Sequence, residues 1–254
     1  MYNTQAIQQH FGSAAPHYER YAALQRSIRR HAMEMGRSYW PVGSRLLDIG
    51  AGTGEFSAMA ERAGTRWQVF NVDIAFGMCA QAARRCSAIN ANAEILPFAT
   101  ASADGVFSSL MLQWVNRPAN VFSEIARVVR IGGYAVIATL VEGTLFELKH
   151  AFSNVDSKPH VNAFAPAHRV LADAENAGLS LVSAEQKAIM EYYPDVVALM
   201  HALQIIGASN SHQHRARGMM TPRKCAALER QYAAFATSQG LPATWQVLFM
   251  VLEH

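Results

Sequence analysis

An acidic residue precedes three alternating glycines in the segment Asp48-Ile-Gly-Ala-Gly-Thr-Gly54. Glycine allows positive backbone φ angles and lets a ligand lie close to the main chain. The helix expected to follow offers unpaired N–H groups and the positive end of its dipole. A dinucleotide site has the spacing G-x-G-x-x-G, whereas these glycines are spaced G-x-G-x-G. Because Asp48 would repel a pyrophosphate and attract an ammonium or sulfonium cation, the segment favours a cationic ligand.

A second acid, Asp73, lies 21 residues beyond Gly52, at the predicted end of the next strand. A carboxylate at this position suits hydrogen bonds from both hydroxyls of a ribose. The alternative is an ordinary helix N-cap, which fits the geometry but does not explain the spacing. Asn92 and Ala93 follow the third predicted strand, where the edge of an adenine would lie.

The elements that position these residues follow from the hydrophobic pattern. Short apolar runs predict strands at 45–49, 68–72, 87–91, 105–110 and 134–140. Apolar residues at helical spacing predict helices at 18–35, 56–63, 78–85 and 118–129. Strands that alternate with helices form a parallel sheet, and such sheets bind ligands beyond the carboxyl ends of their strands. The glycine-rich segment and Asp73 are both predicted at that edge.

The C-terminal part of the chain has a different pattern. Strand-like segments at 179–190 and 245–252 flank two helical patterns, at 196–203 behind Pro194 and at 225–235 behind Pro222. The simplest arrangement is a closing pair of strands with a helical insertion between them. A chain of 254 residues with this organisation predicts one large domain.

Composition excludes several classes of protein. Hydrophobic residues make up 51% of the chain, which is too many for a disordered protein. No apolar run approaches the roughly 20 residues that span a bilayer, and the first residues lack the features of a signal peptide. The three cysteines have no paired spacing, so neither a disulfide framework nor a zinc site is expected. His212 and His214 have no third ligand nearby and favour a polar loop over a metal site. We expect a soluble cytoplasmic protein.

Basic residues concentrate in two zones of a chain whose net charge is only +3, too small to indicate a nucleic-acid binder. The first zone contains Arg20, Arg26, Arg29, Arg30 and Arg37, and the second contains Arg215, Arg217, Arg223 and Lys224. Such zones suit an anionic ligand or an acidic partner protein. Solvated helix faces without a partner are the alternative.

The motifs at 48–54, 73 and 92–98 together resemble the class I S-adenosylmethionine-dependent methyltransferases, over residues 45–140. The resemblance implies a Rossmann-like α/β fold, with a mostly parallel seven-stranded sheet and helices on both faces. It implies that Asp48 and the glycines face the methionine part of the cofactor, that Asp73 holds the ribose and that Asn92 meets the adenine amino group. The family usually has Asp where this chain has Asn92, whose amide oxygen still accepts from the amine. The predicted cofactor-binding residues are Asp48, Gly50, Ala51, Gly52, Gly54, Asp73, Met78, Asn92, Ala93, Leu110 and Gln113.

Segments outside that core resemble one branch of the family, which methylates the free carboxylate of a malonyl thioester on acyl-carrier protein in biotin synthesis. These segments are 11–18, 111–116, 143–148 and 203–210, and the resemblance covers nearly the whole chain. It implies a helical lid in 1–40, a cofactor-binding core in 41–140 and substrate-side elements in 141–254. It also implies an acidic carrier protein as partner, which the basic zones would steer. Methyltransferases for other small acids or quinone-pathway intermediates share part of the first segment and are the alternative.

A carboxylate acceptor is already ionised at neutral pH, so its methylation needs positioning groups rather than a general base. The predicted substrate-binding residues are Arg20, Gln25, Arg26, Trp114 and Arg215, with Arg29 and Arg217 as further candidates for binding the carboxylate. Tyr18 is predicted to orient the acceptor oxygen, with packing in a lid as its alternative. Trp114 either lines a substrate channel or packs in the core. A non-catalytic cofactor-binding scaffold and a dinucleotide-dependent oxidoreductase are the functional alternatives from other classes.

Overall fold

One seven-stranded sheet runs through the computed structural model of the protein, which describes residues 3–15, 18, 22–156, 159–205 and 221–254. In chain order the strands are β1 Arg45–Ile49, β2 Gln68–Asp73, β3 Ala88–Asn90, β4 Ala103–Ser109, β5 Val129–Leu140, β6 Ser180–Tyr193 and β7 Leu241–Glu253. Their spatial order is β3-β2-β1-β4-β5-β7-β6, and β7 runs antiparallel to both its neighbours while the other pairs are parallel. The order reverses between β1 and β4, where α/β sheets bind their ligands. The predicted mostly parallel fold is confirmed.

Helices connect and cover these strands. In the described residues they are α1 Thr4–Ala14, α2 Ala23–Gly36, α3 Glu55–Arg62, α4 Phe76–Ala82, α5 Pro118–Val128, α6 Phe146–Ser153, α7 Ala167–Asn176, α8 Val196–Ile205 and α9 Pro222–Tyr232. Short 3₁₀ turns occur at Leu112–Trp114 and Ala233–Phe235. None of the helices in these ranges is both long enough and apolar enough to cross a membrane.

Two hydrophobic clusters cover the two faces of the sheet. On one face, Phe56 of α3 stacks on Phe107 of β4 with ring centroids 3.8 Å apart. Ile28 of α2 and Trp245 of β7 are buried in the same cluster. On the other face, Phe122 of α5 is fully buried. A parallel sheet needs apolar residues on both faces because its crossover helices cover both.

The predicted closing strands are present. β6 and β7 pair antiparallel from Ser180 opposite Glu253 to Tyr193 opposite Leu241. Both α8 and α9 fall between them in the chain, as the helical patterns predicted. Residues 206–220, which join these two helices, lie outside the described part of the chain.

The described part of the N-terminal region contains two long helices, at 4–14 and 23–36, where the sequence predicted one at 18–35. Asn3 caps α1 by accepting a hydrogen bond from the Ala6 N–H at 3.1 Å. α1 then packs across α4, where a Cβ on Gly77 would lie only 2.5 Å from the Gly12 carbonyl oxygen. The two backbones therefore approach too closely for any other residue at position 77. The second helix, α2, begins only at Ala23.

Strand β5 begins five residues before its predicted start at 134. The pair Gly132-Gly133 suggested a turn ahead of the strand, whereas both residues lie inside it. Val129 already pairs with Ala103, and a register shift separates this pair from the one between Gly105 and Tyr134. The strand accommodates an irregularity at the glycines instead of ending there. Helices α6 and α7 were not predicted.

Candidate active site

A cleft with about 1010 Å³ of empty space opens at the carboxyl ends of β1, β2 and β4, beneath α1 and α2. Of the predicted site residues, those that line this cleft are Tyr18, Gln25, Gly50, Ala51, Gly52, Asp73, Met78, Asn92, Ala93, Leu110 and Trp114. The fold thus brings together residues from segments spread over nearly a hundred positions of the chain. Arg20 and Arg215 lie outside the described residues, as do Arg217, His212 and His214.

The glycine-rich turn joins β1 to α3 and forms the floor of the cleft. The N–H groups of Gly50 and Ala51 donate to the Val72 carbonyl oxygen at 2.8 and 3.1 Å, which ties the turn to β2. Gly50 has φ +76°, and a Cβ at this position would collide with the Met111 side chain. At Gly52, by contrast, no atom of the described chain lies within 4 Å of the Cβ position. The space over Gly52 is therefore free for a ligand that lies against the main chain.

Asp48 lies beneath this turn and does not line the cleft. Asp48 is buried, with 2% of its surface exposed to solvent. Burial raises the pKa of its carboxyl from 3.8 to about 7, while the nearby Arg29 guanidinium lowers it and the Asp73 carboxylate raises it further. Near neutral pH this acid is poised between its neutral and charged forms, so its charge depends on what binds above it. Gly54, at the end of the turn, also lies away from the cleft.

Asp73 ends β2 and holds the turn with both carboxylate oxygens. Oδ2 accepts from the Gly52 N–H at 2.8 Å, and Oδ1 accepts from the Ala75 N–H at 2.8 Å. The N-cap of α4 is Ala75, so Asp73 does not occupy the N-cap position that was its alternative. A carboxylate offers about four acceptor sites, so the backbone hydrogen bonds leave capacity for a further donor. Burial raises the pKa of Asp73, opposed by hydrogen bonds from Ala75, Gly52 and Ile74.

The loop after β3 forms the next part of the cleft wall. Asn92 is exposed, and its Oδ1 accepts from the Glu94 N–H at 3.0 Å, which fixes the side chain in a turn. A second lone pair on this oxygen is available to an amine donor. Ala93 and the buried Met78 complete this wall with apolar surface of the kind that contacts a flat ring.

The chain after β4 is strained where it enters the cleft. Leu110 has φ +57°, a left-handed conformation that is rare for residues other than glycine. Its N–H donates to the Ala138 carbonyl at 2.8 Å, and its own carbonyl accepts from Gln113 Nε2 at 2.8 Å. Gln113 Oε1 accepts in turn from the Thr139 hydroxyl at 3.1 Å. Gln113 thus supports Leu110 from outside the cleft, and its predicted contact with the cofactor stays a prediction.

An aromatic cluster also lines the cleft. The ring of Phe11 lies edge-on to Trp114, with centroids 5.5 Å apart, and edge-on to Tyr18, at 6.3 Å. All three side chains are half-buried and line the cleft. Sequence reasoning missed the contribution of α1, from which Phe11, Ile7 and Thr4 reach the cleft. Asn3 as an N-cap, with apolar residues four apart at 7 and 11, was the available indication.

Two polar residues of α2 face the cleft from above. Gln25 and Arg29 are 6% and 8% exposed, and both line the cleft. Within the described residues, Gln25 Oε1 and Arg29 Nη1 are buried and have no hydrogen-bond partner. Arg26, which was predicted to bind substrate, is half-buried and does not line the cleft. Among the described residues no group of three or more His, Cys, Asp or Glu side chains is arranged to hold a metal ion.

Comparison with known proteins identifies the family. A family model described as a methyltransferase domain matches residues 47–137. The malonyl-[acyl-carrier protein] O-methyltransferase of Serratia marcescens is 37% identical to this chain over 254 residues, covering 98% of this chain and 96% of that protein. The chain belongs to the malonyl-[acyl-carrier protein] O-methyltransferase family. Its sheet, glycine-rich turn and cleft are accordingly those of a methyltransferase.

Members of this methyltransferase family also occur in longer chains. The biotin biosynthesis bifunctional protein BioHC of Cellvibrio japonicus is 36% identical over 253 residues, which cover 97% of this chain and 49% of that protein. This chain therefore spans about half the length of that relative. The structure of geranyl diphosphate C-methyltransferase from Streptomyces coelicolor A3(2), a complex with Mg²⁺, geranyl diphosphate and S-adenosyl-L-homocysteine, has the same fold. Its TM-score is 0.53 at 14% identity, covering 88% of this chain and 77% of that one.

Proposed function

We propose that this protein is an S-adenosylmethionine-dependent O-methyltransferase that converts the free carboxylate of malonyl-acyl-carrier protein to its methyl ester in biotin synthesis. The observation that carries the proposal is the match to the Serratia marcescens methyltransferase, which extends over 98% of this chain. The cleft at the reversal of the sheet order agrees with it, because it combines the glycine-rich turn with the half-buried Asp73 at the end of β2 and lies above the buried Asp48 of β1.

The residues of the cleft fit the cofactor. S-adenosylmethionine supplies the methyl group as an electrophilic carbon on a sulfonium. The open main chain over Gly52 would lie against its methionine part, and the free lone pairs of Asp73 would accept from the ribose hydroxyls. Asn92 and Ala93 would hold the adenine edge, and Met78 would supply apolar contact to the ring.

Methylation of a carboxylate acceptor requires the protein mainly to position the acceptor next to the cofactor. A malonyl carboxylate has an ordinary pKa near 4, so it is a ready nucleophile at neutral pH. Correct orientation of two bound reactants supplies up to roughly 7–11 kcal/mol of the barrier. Tyr18 and Trp114, which both contact Phe11 and line the cleft, would confine the acceptor so that its oxygen lines up with the transferred methyl. The product ester has lost the negative charge of the substrate.

The direct test is mass spectrometry of malonyl-acyl-carrier protein incubated with the protein and S-adenosylmethionine. We expect a gain of one methyl group on the malonyl thioester. Asp73→Asn should abolish the gain. Asp104→Asn should retain it, because Asp104 lies near the amino end of β4, away from the cleft. If the mass is unchanged although the protein binds S-adenosylhomocysteine, the acceptor is a different molecule and the proposed substrate is wrong.

The proposed partner is the acidic carrier protein, docked on the exposed arginines of α2. Arg30 and Arg37 are exposed, unlike Arg29 of the same zone, which is buried. Charges at the rim of an interface act mainly on the association of the partner. We expect Arg30→Glu with Arg37→Glu to raise KM for malonyl-acyl-carrier protein about tenfold and KM for malonyl-coenzyme A by less than about twofold.

A matched control for this prediction is Arg66→Glu. Arg66 is exposed but precedes β2, at the amino ends of the strands and far from the cleft. This variant should leave both KM values unchanged. Equal increases for both substrates in the α2 double variant would contradict docking of the carrier at this helix.

The proposed location is the cytoplasm. All three cysteines fall in the described part of the chain, and each of Cys79, Cys86 and Cys225 is a free thiol. Free thiols persist in reducing compartments, so this chemistry supports the proposal.

A further inference from the structure

A buried cation that forms no ion pair within the described part of the chain faces the cleft from α2. Arg29 is 8% exposed, and its Nη1 has no hydrogen-bond partner in the described structure. None of the ion pairs among the described residues involves Arg29. A buried charge with an unsatisfied donor is costly for the folded state. The cost is recovered when an anion enters the cleft and accepts from the guanidinium.

An unsatisfied acceptor lies one helical turn away. Gln25 precedes Arg29 by four residues, so the two side chains share one face of α2. Gln25 is 6% exposed, lines the same cleft, and its Oε1 also has no partner in the described chain. The helix therefore presents a donor and an acceptor side by side, and neither atom is satisfied by the residues that the structure describes. A ligand that carries an anionic group and an N–H group close together would satisfy both side chains.

The position of Arg29 indicates which end of the cleft it serves. Its charge acts on the carboxyl of Asp48, which lies beneath the glycine-rich turn. Arg29 therefore lies near the turn, where the methionine part of the cofactor would be.

We propose that Arg29 and Gln25 form the receptor for the amino-acid end of the cofactor. Arg29 Nη1 donates to the α-carboxylate, and Gln25 Oε1 accepts from the α-ammonium. The malonyl group offers a carboxylate alone, which accepts hydrogen bonds and cannot satisfy Gln25 Oε1. This inference rests on the proposed function only in taking S-adenosylmethionine as the cofactor. It assigns Gln25 to the cofactor rather than to the acceptor, where the sequence had placed it.

The test compares two ligands that differ in the amino-acid group. S-adenosylhomocysteine carries this group, and 5′-methylthioadenosine has the same adenosine and thioether without it. Calorimetric titration should show that Arg29→Gln lowers the affinity for S-adenosylhomocysteine about 10- to 100-fold. The affinity for 5′-methylthioadenosine should change by less than about twofold. Gln25→Leu should weaken S-adenosylhomocysteine about tenfold, again with 5′-methylthioadenosine unchanged. Retained binding of the smaller ligand also demonstrates that each variant is folded.

Arg66→Gln is the control for loss of an arginine elsewhere, and it should bind both ligands as the wild type does. Wild-type affinity of Arg29→Gln for S-adenosylhomocysteine would overturn the inference. So would an equal loss of both ligands in both cleft variants, or a raised KM for malonyl-acyl-carrier protein with unchanged S-adenosylhomocysteine affinity. The titrations contain no acceptor, so a failure of methyl transfer to the malonyl thioester would refute the proposed function and leave this result intact.

Discussion

Replacing Asp48 by asparagine is expected to stabilise the ligand-free protein at pH 8 and to weaken its binding of the cofactor. Burial raises the pKa of this carboxyl from 3.8 to about 7. Between these two values the folded state binds more protons than the unfolded state, so stability falls as the pH rises through this window. The loss is complete above pH 7 and is on the order of 4 kcal/mol for a shift of this size. Asparagine does not ionise and avoids this cost.

Thermal melts of the ligand-free protein from pH 5 to pH 8.5 measure the effect. The Tm of Asp48→Asn should exceed that of the wild type at pH 8 by on the order of 10 °C, and the two should converge toward pH 5. S-adenosylhomocysteine should bind the variant at least about tenfold more weakly at pH 8, because the negative charge beneath the glycine-rich turn that attracts its ammonium is removed. Wild-type affinity for this ligand should rise with pH through about 7, where Asp48 ionises.

Replacement of a second acid, Asp104, is a control that should change the Tm at pH 8 in the opposite direction. Hydrogen bonds from Arg130 and from the Arg45 N–H hold the pKa of Asp104 below its usual value. Asp104→Asn should therefore lower the Tm at pH 8 and leave S-adenosylhomocysteine binding unchanged. If Asp48→Asn also melts below the wild type at pH 8, the buried charge does not destabilise the fold and the argument fails.

Replacing Asp73 by asparagine is expected to lower the affinity for S-adenosylhomocysteine at least about 100-fold, which is the largest effect on binding expected at this site. The carboxylate accepts from the N–H groups of Gly52 and Ala75, and its other lone pairs face the proposed ribose position. The amide group presents a donor where one oxygen stood, so one backbone N–H loses its acceptor and one ribose hydroxyl loses its partner. Hydrogen bonds to charged groups contribute about 1.5–3 kcal/mol each.

Calorimetric titration of Asp73→Asn with S-adenosylhomocysteine checks this expectation. Adenine, which lacks the ribose, should bind the variant and the wild type with affinities that differ much less. Asn90→Ala is a nearby control, because its side chain donates to the backbone carbonyls of Asp73 and Ile74 without lining the cleft. A loss of less than about threefold for Asp73→Asn would refute its assignment to the ribose.

Much of the sheet and half of the cleft follow from local sequence. Each parallel strand is a short apolar run, and the turn after β1 needs glycine because position 50 has positive φ and lies against Met111. Asp73 is predictable as well, since its place at the end of β2 fixes its distance from the turn. These features depend on residues close together in the chain.

The remaining features depend on contacts between distant segments. Arg29 lies on the apolar face of α2 beside Ile28, and nothing local distinguishes it from the exposed Arg30. Its burial follows from packing of the helix over the cleft. Gln113 lies beyond β4 as predicted, but its hydrogen bond with the Thr139 hydroxyl depends on the neighbouring strand β5. The early start of β5 likewise depends on pairing with β4.

The close contact between Gly12 and Gly77 links the first helix of the chain to the occupancy of the cleft. Helix α1 meets α4 backbone to backbone at this point, while Ile7 and Phe11 on the same helix line the cleft. A ligand that contacts α1 favours the position in which α1 is packed against α4. Packing of α1 in turn raises the binding affinity of the ligand by the same factor, because such coupling is reciprocal. The contact between α1 and α4, although it lies outside the cleft, therefore contributes to the affinity of the cleft for its ligand.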